Sequence, residues 1–286
     1  IYDILQKYDK VPIIKNIINS KKIILVTGGC GFIGSNFINH MLDVYKDIHI
    51  INIDAMYYCA NINNIKKEWM NSSMYTFIKG NTKNSELIET IFEMYKPTHI
   101  INFAAQSHVD SSFNESLKYT DDNIKGTHTL LECSRLYQIK YNRLIKFIHI
   151  STDEVYGESN IDINEKGKTE QSILCPTNPY AASKCGAELL CQSYIHSFKL
   201  PIIITRGNNV YGPNQYPEKI IPKFIKQLHK GNPVTIQGDG NCLRSFLHVY
   251  DTVTALTCIL KKGKNGEIYN IGSDIGSEYT VNDVAD

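Results

Sequence analysis

The stretch Ile23-Ile24-Leu25-Val26-Thr27-Gly28-Gly29-Cys30-Gly31-Phe32-Ile33-Gly34 decides the fold. Its β-branched first half predicts a buried strand, and the apolar spacing after Gly31 predicts a helix. The glycines between them match G-x-G-x-x-G, which lets the backbone turn tightly and approach a pyrophosphate at the helix N-terminus. A strand, a glycine turn and a helix in this order are typical of a dinucleotide-binding unit.

The same alternation of short apolar runs and amphipathic stretches continues along the chain. Further strands are predicted at 49–53, 74–79, 99–103, 144–150 and 201–205, and helices at 85–95, 120–137 and 178–198. Continuous apolar strands separated by helices indicate a parallel sheet that is covered on both faces. The predicted fold class is therefore α/β, with a doubly wound parallel sheet of the Rossmann type.

The pattern changes after Arg206, where residues 208–219 have the glycine and proline content of a loop. Only short elements are predicted beyond it, at 220–230, 234–236, 251–260, 268–271 and from 281 onward. We therefore predict three segments: an N-terminal extension over 1–20, a dinucleotide-binding domain over 21–207 and a smaller substrate-binding lobe over 208–286. We expect this lobe to be cut short at its C-terminal end.

Composition and charge exclude several classes of protein. The 286 residues include 30 Lys and Arg against 29 Asp and Glu, which removes the main electrostatic argument for a nucleic-acid partner and gives no polybasic signal for an anionic membrane. No apolar run approaches the roughly 20 residues of a membrane helix, and no secretory signal opens the sequence. The eight cysteines show no Cys-x-x-Cys or zinc spacing, which predicts a reduced, cytoplasmic protein without a metal.

Asp54 lies 20 residues after Gly34, at the end of the second predicted strand. A carboxylate there can accept hydrogen bonds from both hydroxyls of a ribose and would repel a 2′-phosphate. The sequence thus favours NAD over NADP as the cofactor. Two alternatives stay open, namely that Asp54 only caps a turn and that the glycine turn holds no ligand.

Two groups of residues point to acid–base chemistry. Tyr180 and Lys184 are four residues apart on one face of a predicted helix, where an ammonium is expected to lower the pKa of a phenol toward neutrality. Thr152, Asp153 and Glu154 follow directly after a predicted strand, at the sheet edge where ligands bind in open α/β folds. One base suffices to oxidise an alcohol, so a second acid–base pair predicts a further step such as loss of water.

These motifs together resemble the extended short-chain dehydrogenase/reductase family, and within it the nucleotide-sugar 4,6-dehydratases of the dTDP-glucose 4,6-dehydratase type. The resemblance runs from Lys21 to the last residue. Its most specific stretches are Thr152-Asp-Glu-Val-Tyr-Gly157, Ala104-Ala-Gln-Ser-His-Val-Asp110 and Asn209-Val-Tyr-Gly-Pro213.

The resemblance implies a hydro-lyase that converts dTDP-glucose or UDP-glucose to the 4-keto-6-deoxy sugar, in rhamnose-type deoxysugar synthesis. It implies that Tyr180, aided by Thr152, takes the proton of the 4-hydroxyl while NAD accepts hydride. Glu154 would then remove the proton at carbon 5, and Asp153 would protonate the departing 6-hydroxyl. The hydride would finally return to carbon 6.

The resemblance also implies the residues that bind cofactor and substrate. Those assigned to NAD are Gly28, Gly31, Phe32, Ile33, Gly34, Asp54, Asn81, Thr82, Ala104, Ala105, Tyr180 and Lys184. Those assigned to the nucleotide sugar are Ser107, Thr152, Asn209, Lys219, Ile220, Arg244 and Asn270. Asn81 stands where the family usually has Asp, and Cys30 stands where it usually has Ala.

The resemblance further implies a homodimer that pairs the helices over 120–137 and 179–198. We expect Leu130, Leu131, Leu190 and Tyr194 to lie on the outer faces of these helices. Two alternative functions remain open: a nucleotide-sugar 4-epimerase, which needs neither Asp153 nor Glu154, and a non-catalytic NAD-sensing module.

Overall fold

Ten strands run through the part of the chain that the computed structural model describes, which is residues 22–158, 167–236, 238–274 and 276–286. They are β1 (Lys22–Thr27), β2 (Ile48–Asp54), β3 (Tyr75–Lys79), β4 (His99–Asn102), β5 (Lys146–Thr152), β6 (Ile202–Gly207), β7 (Asn209–Tyr211), β8 (Leu243–His248), β9 (Ile268–Ile271) and β10 (Glu278–Thr280). The predicted extension over residues 1–20 lies outside the described residues, as does Lys21.

Ten α-helices are found in the same described residues. They are α1 (Phe32–Val44), α2 (Lys67–Met70), α3 (Ser85–Tyr95), α4 (Val109–Asn114), α5 (Ser116–Tyr119), α6 (Gly126–Tyr141), α7 (Pro179–Phe198), α8 (Ile220–His229), α9 (Val249–Lys262) and α10 (Val281–Ala285). The helix predicted over 120–137 begins as a π-helical segment, Thr120–Lys125, and continues as α6. Asn123 in that segment uses its side chain to bind the backbone of Gln106, at 2.7 and 3.0 Å.

Seven parallel strands form the main sheet, in the order β3-β2-β1-β4-β5-β6-β9. Successive residues of β1 alternate between two apolar clusters, with Ile23 and Leu25 in one and Ile24 and Val26 in the other. The first cluster includes side chains of α3, α6 and α7, and the second includes those of α1 and α9. Both faces of the sheet are therefore covered, and the predicted doubly wound α/β fold is confirmed.

The strand order reverses between β1 and β4, which are neighbours in the middle of the main sheet. At such a switch point the loops that follow the two strands leave in opposite directions and open a crevice at their carboxyl ends. The glycine turn follows β1 there, and the segment Ala104–Ala105 follows β4. The fold thus brings these two stretches together.

A second sheet of three strands has the order β10-β8-β7. The prediction of a strand at 234–236 is wrong, since these residues form no strand. The apolar pattern did not indicate β8 because it reads Leu-Arg-Ser-Phe-Leu-His and lacks a continuous apolar run. Pairing with β7 and β10, which lie far away in the sequence, makes it a strand.

The predicted boundary between residues 207 and 208 does not separate the two sheets. β9 pairs with β6 in the main sheet, with Tyr269 opposite Thr205. Helix α9 packs Val253 and Leu256 into the apolar cluster on one face of that sheet. The division of the chain into three segments stays a prediction.

The side chains expected on the outer faces of α6 and α7 lie mostly on their inner faces. Leu130 and Leu131 are 0% exposed and Tyr194 is 6% exposed, all within the apolar cluster, so that expectation is wrong. Leu190 is partly buried against the same cluster. The apolar side chains that these helices expose are instead Leu136, Ile139, Leu189 and Phe198.

The described residues also bear on membrane insertion. Within them, no helix combines the length and the apolar character that a bilayer span requires.

Candidate active site

The glycine turn between β1 and α1 has two positions at which a side chain would collide with the backbone. Gly28 has a φ of +68°, and a Cβ added to it would lie 2.7 Å from the backbone nitrogen of Ala104. A Cβ on Gly34 would lie 2.5 Å from the carbonyl oxygen of Gly28. Bare backbone therefore lines this part of the crevice, beside the N-terminus of α1, as a bound pyrophosphate requires.

Asp54, the last residue of β2, is hydrogen-bonded to the glycine turn. One of its carboxylate oxygens accepts a hydrogen bond from the backbone N–H of Cys30 at 2.9 Å, and the other accepts from that of Met56 at 2.8 Å. Burial raises the pKa of Asp54. Burial also raises the pKa of Cys30 to about 12, so this side chain is a packed thiol without nucleophilic character.

One cleft brings together most of the predicted site residues. It extends from the glycine turn across the carboxyl ends of β1, β4 and β5 to the start of α7. The predicted residues that line it are Gly28, Gly31, Phe32, Ile33, Gly34, Asp54, Asn81, Thr82, Ala104, Ala105, Ser107, Thr152, Tyr180, Lys184 and Lys219. All the positions assigned to the cofactor are in this set.

Asp153 and Glu154 lie in the 3₁₀ turn Asp153–Tyr156, which follows β5 directly. The hydroxyl of Thr152 accepts a hydrogen bond from the backbone N–H of Glu154 and donates one to Asp153, each at 3.3 Å. Burial, and then the neighbouring charge of Glu154, raises the pKa of Asp153 to about 6. Near neutral pH a fraction of Asp153 is therefore protonated and able to donate a proton.

The turn is joined to the start of α7. Asn178 caps this helix by accepting from the backbone N–H of Ala181 at 2.8 Å, and its side-chain amide donates to Glu154 at 3.0 Å. Pro179 occupies the first helical position, where its missing N–H costs nothing. The cap thus sets Glu154 beside Tyr180, the second residue of the helix.

Tyr180 and Lys184 depart from the predicted electrostatics. Burial, and then the charge of Glu154, raises the pKa of Tyr180, although a hydrogen bond between Tyr180 and Thr152 acts in the opposite direction. The prediction that the pKa of Tyr180 is lowered toward neutrality is therefore wrong. The Lys184 ammonium donates to the carbonyl of Ile150 at 2.6 Å instead of to the phenol, and burial lowers the pKa of Lys184 to about 8.

Four residues assigned to the nucleotide diphosphate do not line the cleft. Asn209 begins β7, Ile220 begins α8, and Arg244 is exposed on β8 opposite Tyr279 of β10. The side chain of Asn270, on β9, accepts a hydrogen bond from Tyr156 at 2.7 Å. The substrate-binding role of these four residues stays a prediction.

A contact across the mouth of the cleft was missed by the sequence analysis. The hydroxyl of Tyr58 donates to Glu218 at 3.0 Å, and the Tyr58 ring meets that of Tyr216 edge-on at 5.3 Å. Beside them, Lys219 donates to the carbonyl of Ser107 at 3.1 Å. The tyrosine pair after Asp54 was the available signal, but its partner lies 160 residues away in the sequence.

A partly exposed polar patch that lines the cleft beside Asn81 was also missed. Asp122 lines the cleft and accepts hydrogen bonds from Tyr57 at 3.2 Å and from Gln106 at 2.8 Å. Tyr57 in turn accepts from the side-chain amide of Asn81 at 2.8 Å. The side chain of Asn81, which stands where the family usually has Asp, is thus held by Tyr57 and by the backbone N–H of Lys83, which donates to its oxygen at 2.9 Å.

Among the residues that the structure describes, no group of three or more His, Cys, Asp and Glu side chains could hold a metal ion. His108 and His248 cap α4 and α9. His149 is buried in β5, with its Nδ1 atom 3.2 Å from Asn102.

Comparison with known proteins places this geometry among nucleotide-sugar enzymes. A model of the family described as GDP-mannose 4,6 dehydratase matches residues 25–286. The chain is 50% identical over 258 residues to a dTDP-D-glucose 4,6-dehydratase of Dictyostelium discoideum, covering 88% of this chain and 58% of that protein. It therefore spans little more than half the length of that relative.

Two further proteins are similar over nearly the whole chain. A trifunctional UDP-glucose 4,6-dehydratase, UDP-4-keto-6-deoxy-D-glucose 3,5-epimerase and UDP-4-keto-L-rhamnose reductase of Arabidopsis thaliana is 46% identical over 265 residues, which are 92% of this chain and 38% of that protein. The crystal structure of dTDP-glucose 4,6-dehydratase from Bacillus anthracis, in complex with NAD, matches with a TM-score of 0.80 at 40% identity. That match covers 91% of this chain and 77% of the other.

Proposed function

The chain belongs to the GDP-mannose 4,6-dehydratase family, and on that premise we propose that it is an NAD-dependent nucleotide-sugar 4,6-dehydratase. Its substrate is dTDP-glucose or UDP-glucose, and its product is the corresponding 4-keto-6-deoxy sugar nucleotide. One observation carries the proposal: Asp153 and Glu154 lie beside Tyr180 at the carboxyl end of β5. A dehydratase needs this second acid and base, whereas an epimerase does not.

The cleft supports NAD as the cofactor. Gly28 and Gly34 leave bare backbone where any side chain would collide, and they would hold the pyrophosphate together with the start of α1. Asp54 would hold the adenosine ribose. When bound, NAD supplies a hydride acceptor that is regenerated in each cycle, and its oxidised form brings a positive charge.

The chain's own side chains divide the proton transfers between them. Tyr180 takes the proton of the sugar 4-hydroxyl, and its raised pKa means that it needs added positive charge in the cleft to do so. Glu154 takes the proton at carbon 5, which the 4-keto group acidifies. Asp153, with its pKa of about 6, gives its proton to the 6-hydroxyl, which leaves as water.

The proposed function is tested by incubating the purified protein with dTDP-glucose and UDP-glucose in separate reactions. We expect mass spectrometry and NMR to detect the 4-keto-6-deoxy product without stoichiometric addition of NAD, because the hydride is returned. Accumulation of NADH in step with product would contradict the internal redox cycle. The bases of the two substrates, thymine and uracil, differ by one methyl group, which an apolar pocket discriminates by only about 1–3 kcal/mol.

Two outcomes of the same reactions would favour the alternatives. A product that keeps its 6-hydroxyl would indicate a 4-epimerase, for which Asp153 and Glu154 have no use. Bound NAD without turnover of either sugar nucleotide would indicate a non-catalytic NAD-binding module.

A homodimer through the outer faces of α6 and α7 belongs to this proposal. The exposed stripe of α7 contains Ala182, Leu189 and Ser193, whose small or apolar side chains let a second helix approach closely. Leu189 is 52% exposed and Phe198 is 49% exposed, so both have area left to bury. A two-fold axis would bring the same surface of each copy together.

Replacing Leu189 with Glu is expected to convert the dimer into a monomer, because it would bury a charge at the centre of the interface. Light scattering at micromolar concentration measures the change. Ile225→Glu, on the exposed face of α8, is the matched control and should stay dimeric. A wild-type protein that is monomeric at this concentration would contradict the proposal.

A cytoplasmic location also belongs to the proposal. All eight cysteines are free, and Cys175, Cys242 and Cys258 are exposed. Exposed thiols persist in compartments that are kept reducing.

A further inference from the structure

A buried arginine connects the two segments that carry the proposed acid and bases. Arg206, near the end of β6, is 2% exposed, and Glu188, on α7, is 0% exposed. The Nε atom of Arg206 donates to Glu188 at 3.1 Å, and its Nη2 atom donates to the same carboxylate. Glu188 is one helical turn beyond Lys184, so the ion pair ties the helix that carries Tyr180 to β6.

The remaining donors of Arg206 reach the acid–base turn. Its Nη1 atom donates to the hydroxyl of Tyr156 at 2.7 Å and to the carbonyl of Glu170 at 3.1 Å. The guanidinium carbon also lies 4.7 Å from the centre of the Tyr156 ring. Tyr156 is the last residue of the turn that holds Asp153 and Glu154. One cation thus contacts both of these segments.

The hydroxyl of Tyr156 has a fixed direction in this arrangement. An arginine can only donate, so the Tyr156 oxygen accepts from Arg206 and its single proton must go elsewhere. It goes to the side-chain oxygen of Asn270, at 2.7 Å. Tyr156 is 6% exposed, which leaves few competing water molecules.

Asn270 is held on its other sides as well. Its side-chain nitrogen donates to the carbonyl of Lys168 at 3.3 Å, and its backbone N–H donates to Glu170 at 2.9 Å. The oxygen of its side-chain amide is therefore bound to the turn through Tyr156, and the nitrogen is bound to the backbone of Lys168. This placement differs from the nucleotide contact that the family resemblance implies for Asn270.

We propose that Arg206, Tyr156 and Asn270 are positioning residues, which hold the Asp153–Tyr156 turn in register with Tyr180 so that the loss of water can follow the oxidation. The proposal rests on the proposed function. None of the three is among the residues that line the cleft. Their effect passes through the turn, since Tyr156 is two residues from Glu154 and three from Asp153.

The test compares Tyr156→Phe, Asn270→Ala and the double variant in single-turnover reactions with the sugar nucleotide. Tyr156→Phe removes one hydroxyl and keeps the ring over Arg206. Each single variant is expected to slow water loss about tenfold, within the about 10²-fold that a 1 Å misplacement can cost. NADH should then accumulate transiently, while the oxidation rate and KM stay within about twofold of wild type.

The double variant shows whether Tyr156 and Asn270 act through one shared hydrogen bond or through two independent contacts. If Tyr156 and Asn270 act through the same hydrogen bond, the double variant should be no slower than either single variant. Tyr137→Phe is the control, because it also removes a buried tyrosine hydroxyl, one that donates to the carbonyl of Pro97 at 3.1 Å. Tyr137 is on α6 and does not line the cleft. This variant should turn over at the wild-type rate with a comparable loss of melting temperature.

Three results would overturn the positioning role. Asn270→Ala could raise KM at an unchanged kcat, as expected for a contact to the nucleotide. The slowing of water loss in the double variant could equal the product of the slowing in the two single variants. Tyr156→Phe could keep the full rate of water loss while wild type turns over. A wild-type protein that forms no 4-keto-6-deoxy product would instead refute the proposed function, and this inference with it.

Discussion

Replacing Tyr180 with Phe is expected to abolish oxidation of the sugar, so that no NADH absorbance appears after mixing with substrate. The change removes the phenol oxygen that accepts the 4-hydroxyl proton and leaves the ring in its buried place on α7. Without that acceptor the first step has no base, and every later step depends on it. Stopped-flow absorbance of NADH measures the effect directly.

Asp153→Asn and Glu154→Gln are the matched contrasts to Tyr180→Phe. They keep nearly the same volume and leave Tyr180 unchanged, so oxidation and its NADH signal should remain. Water loss should slow by about 10²–10⁴-fold, as is typical when a general acid or base is lost. Loss of the NADH signal in both carboxylate variants, as complete as in Tyr180→Phe, would contradict this division of roles.

The pH dependence of the second step follows from Asp153. Its pKa is raised to about 6, and a general acid must be protonated to act. The rate of water loss through Asp153 should therefore fall as pH rises through about 6, and the residual rate of Asp153→Asn should lack that decline.

Replacing Arg206 with Met is expected to lower the free energy of unfolding by about 3–5 kcal/mol, because it leaves Glu188 as an unpaired charge in the core. Urea unfolding measures this as a lower midpoint with an unchanged slope. Adding Glu188→Leu to Arg206→Met should restore much of the loss, since a buried ion pair is replaced by apolar side chains at little cost.

An exposed ion pair provides the control for this prediction. Lys66 and Asp43 are in contact at 2.6 Å, but their side chains are 47% and 38% exposed. Lys66→Met should therefore cost less than about 1 kcal/mol, because solvent screens such a pair. A loss in Arg206→Met no larger than that in Lys66→Met would contradict the assigned role of burial.

The main sheet and most of the cleft were predictable because their signals are local. Several predicted strands of the main sheet, such as β1 and β6, are continuous apolar runs, and such a run is typical of a strand that is buried on both faces of a sheet. The motifs follow strands directly, as Gly28 follows β1 and Asp153 follows β5. Since the carboxyl ends of parallel strands lie at one edge of the sheet, the sequence predicts that the motifs meet there, even though no side-chain contact is known.

The second sheet and the outer faces of the helices depended on distant partners. β8 is a strand through its pairing with β7 and β10, and no pattern within its own six residues indicates this. Leu130 and Leu131 are both apolar residues of α6, and only the packing of that helix shows that they face the core.

Electrostatics was least accessible from the sequence, because a pKa depends on burial and on charges that come from many segments. The spacing of Tyr180 and Lys184 placed them on one face of α7, yet the Lys184 ammonium turns to the carbonyl of Ile150 and burial beside Glu154 raises the pKa of Tyr180. Arg206 reaches Tyr156, which is 50 residues earlier in the chain. Residue types and their order therefore indicate the chemistry, while the fold sets the proton affinities and the contacts that position it.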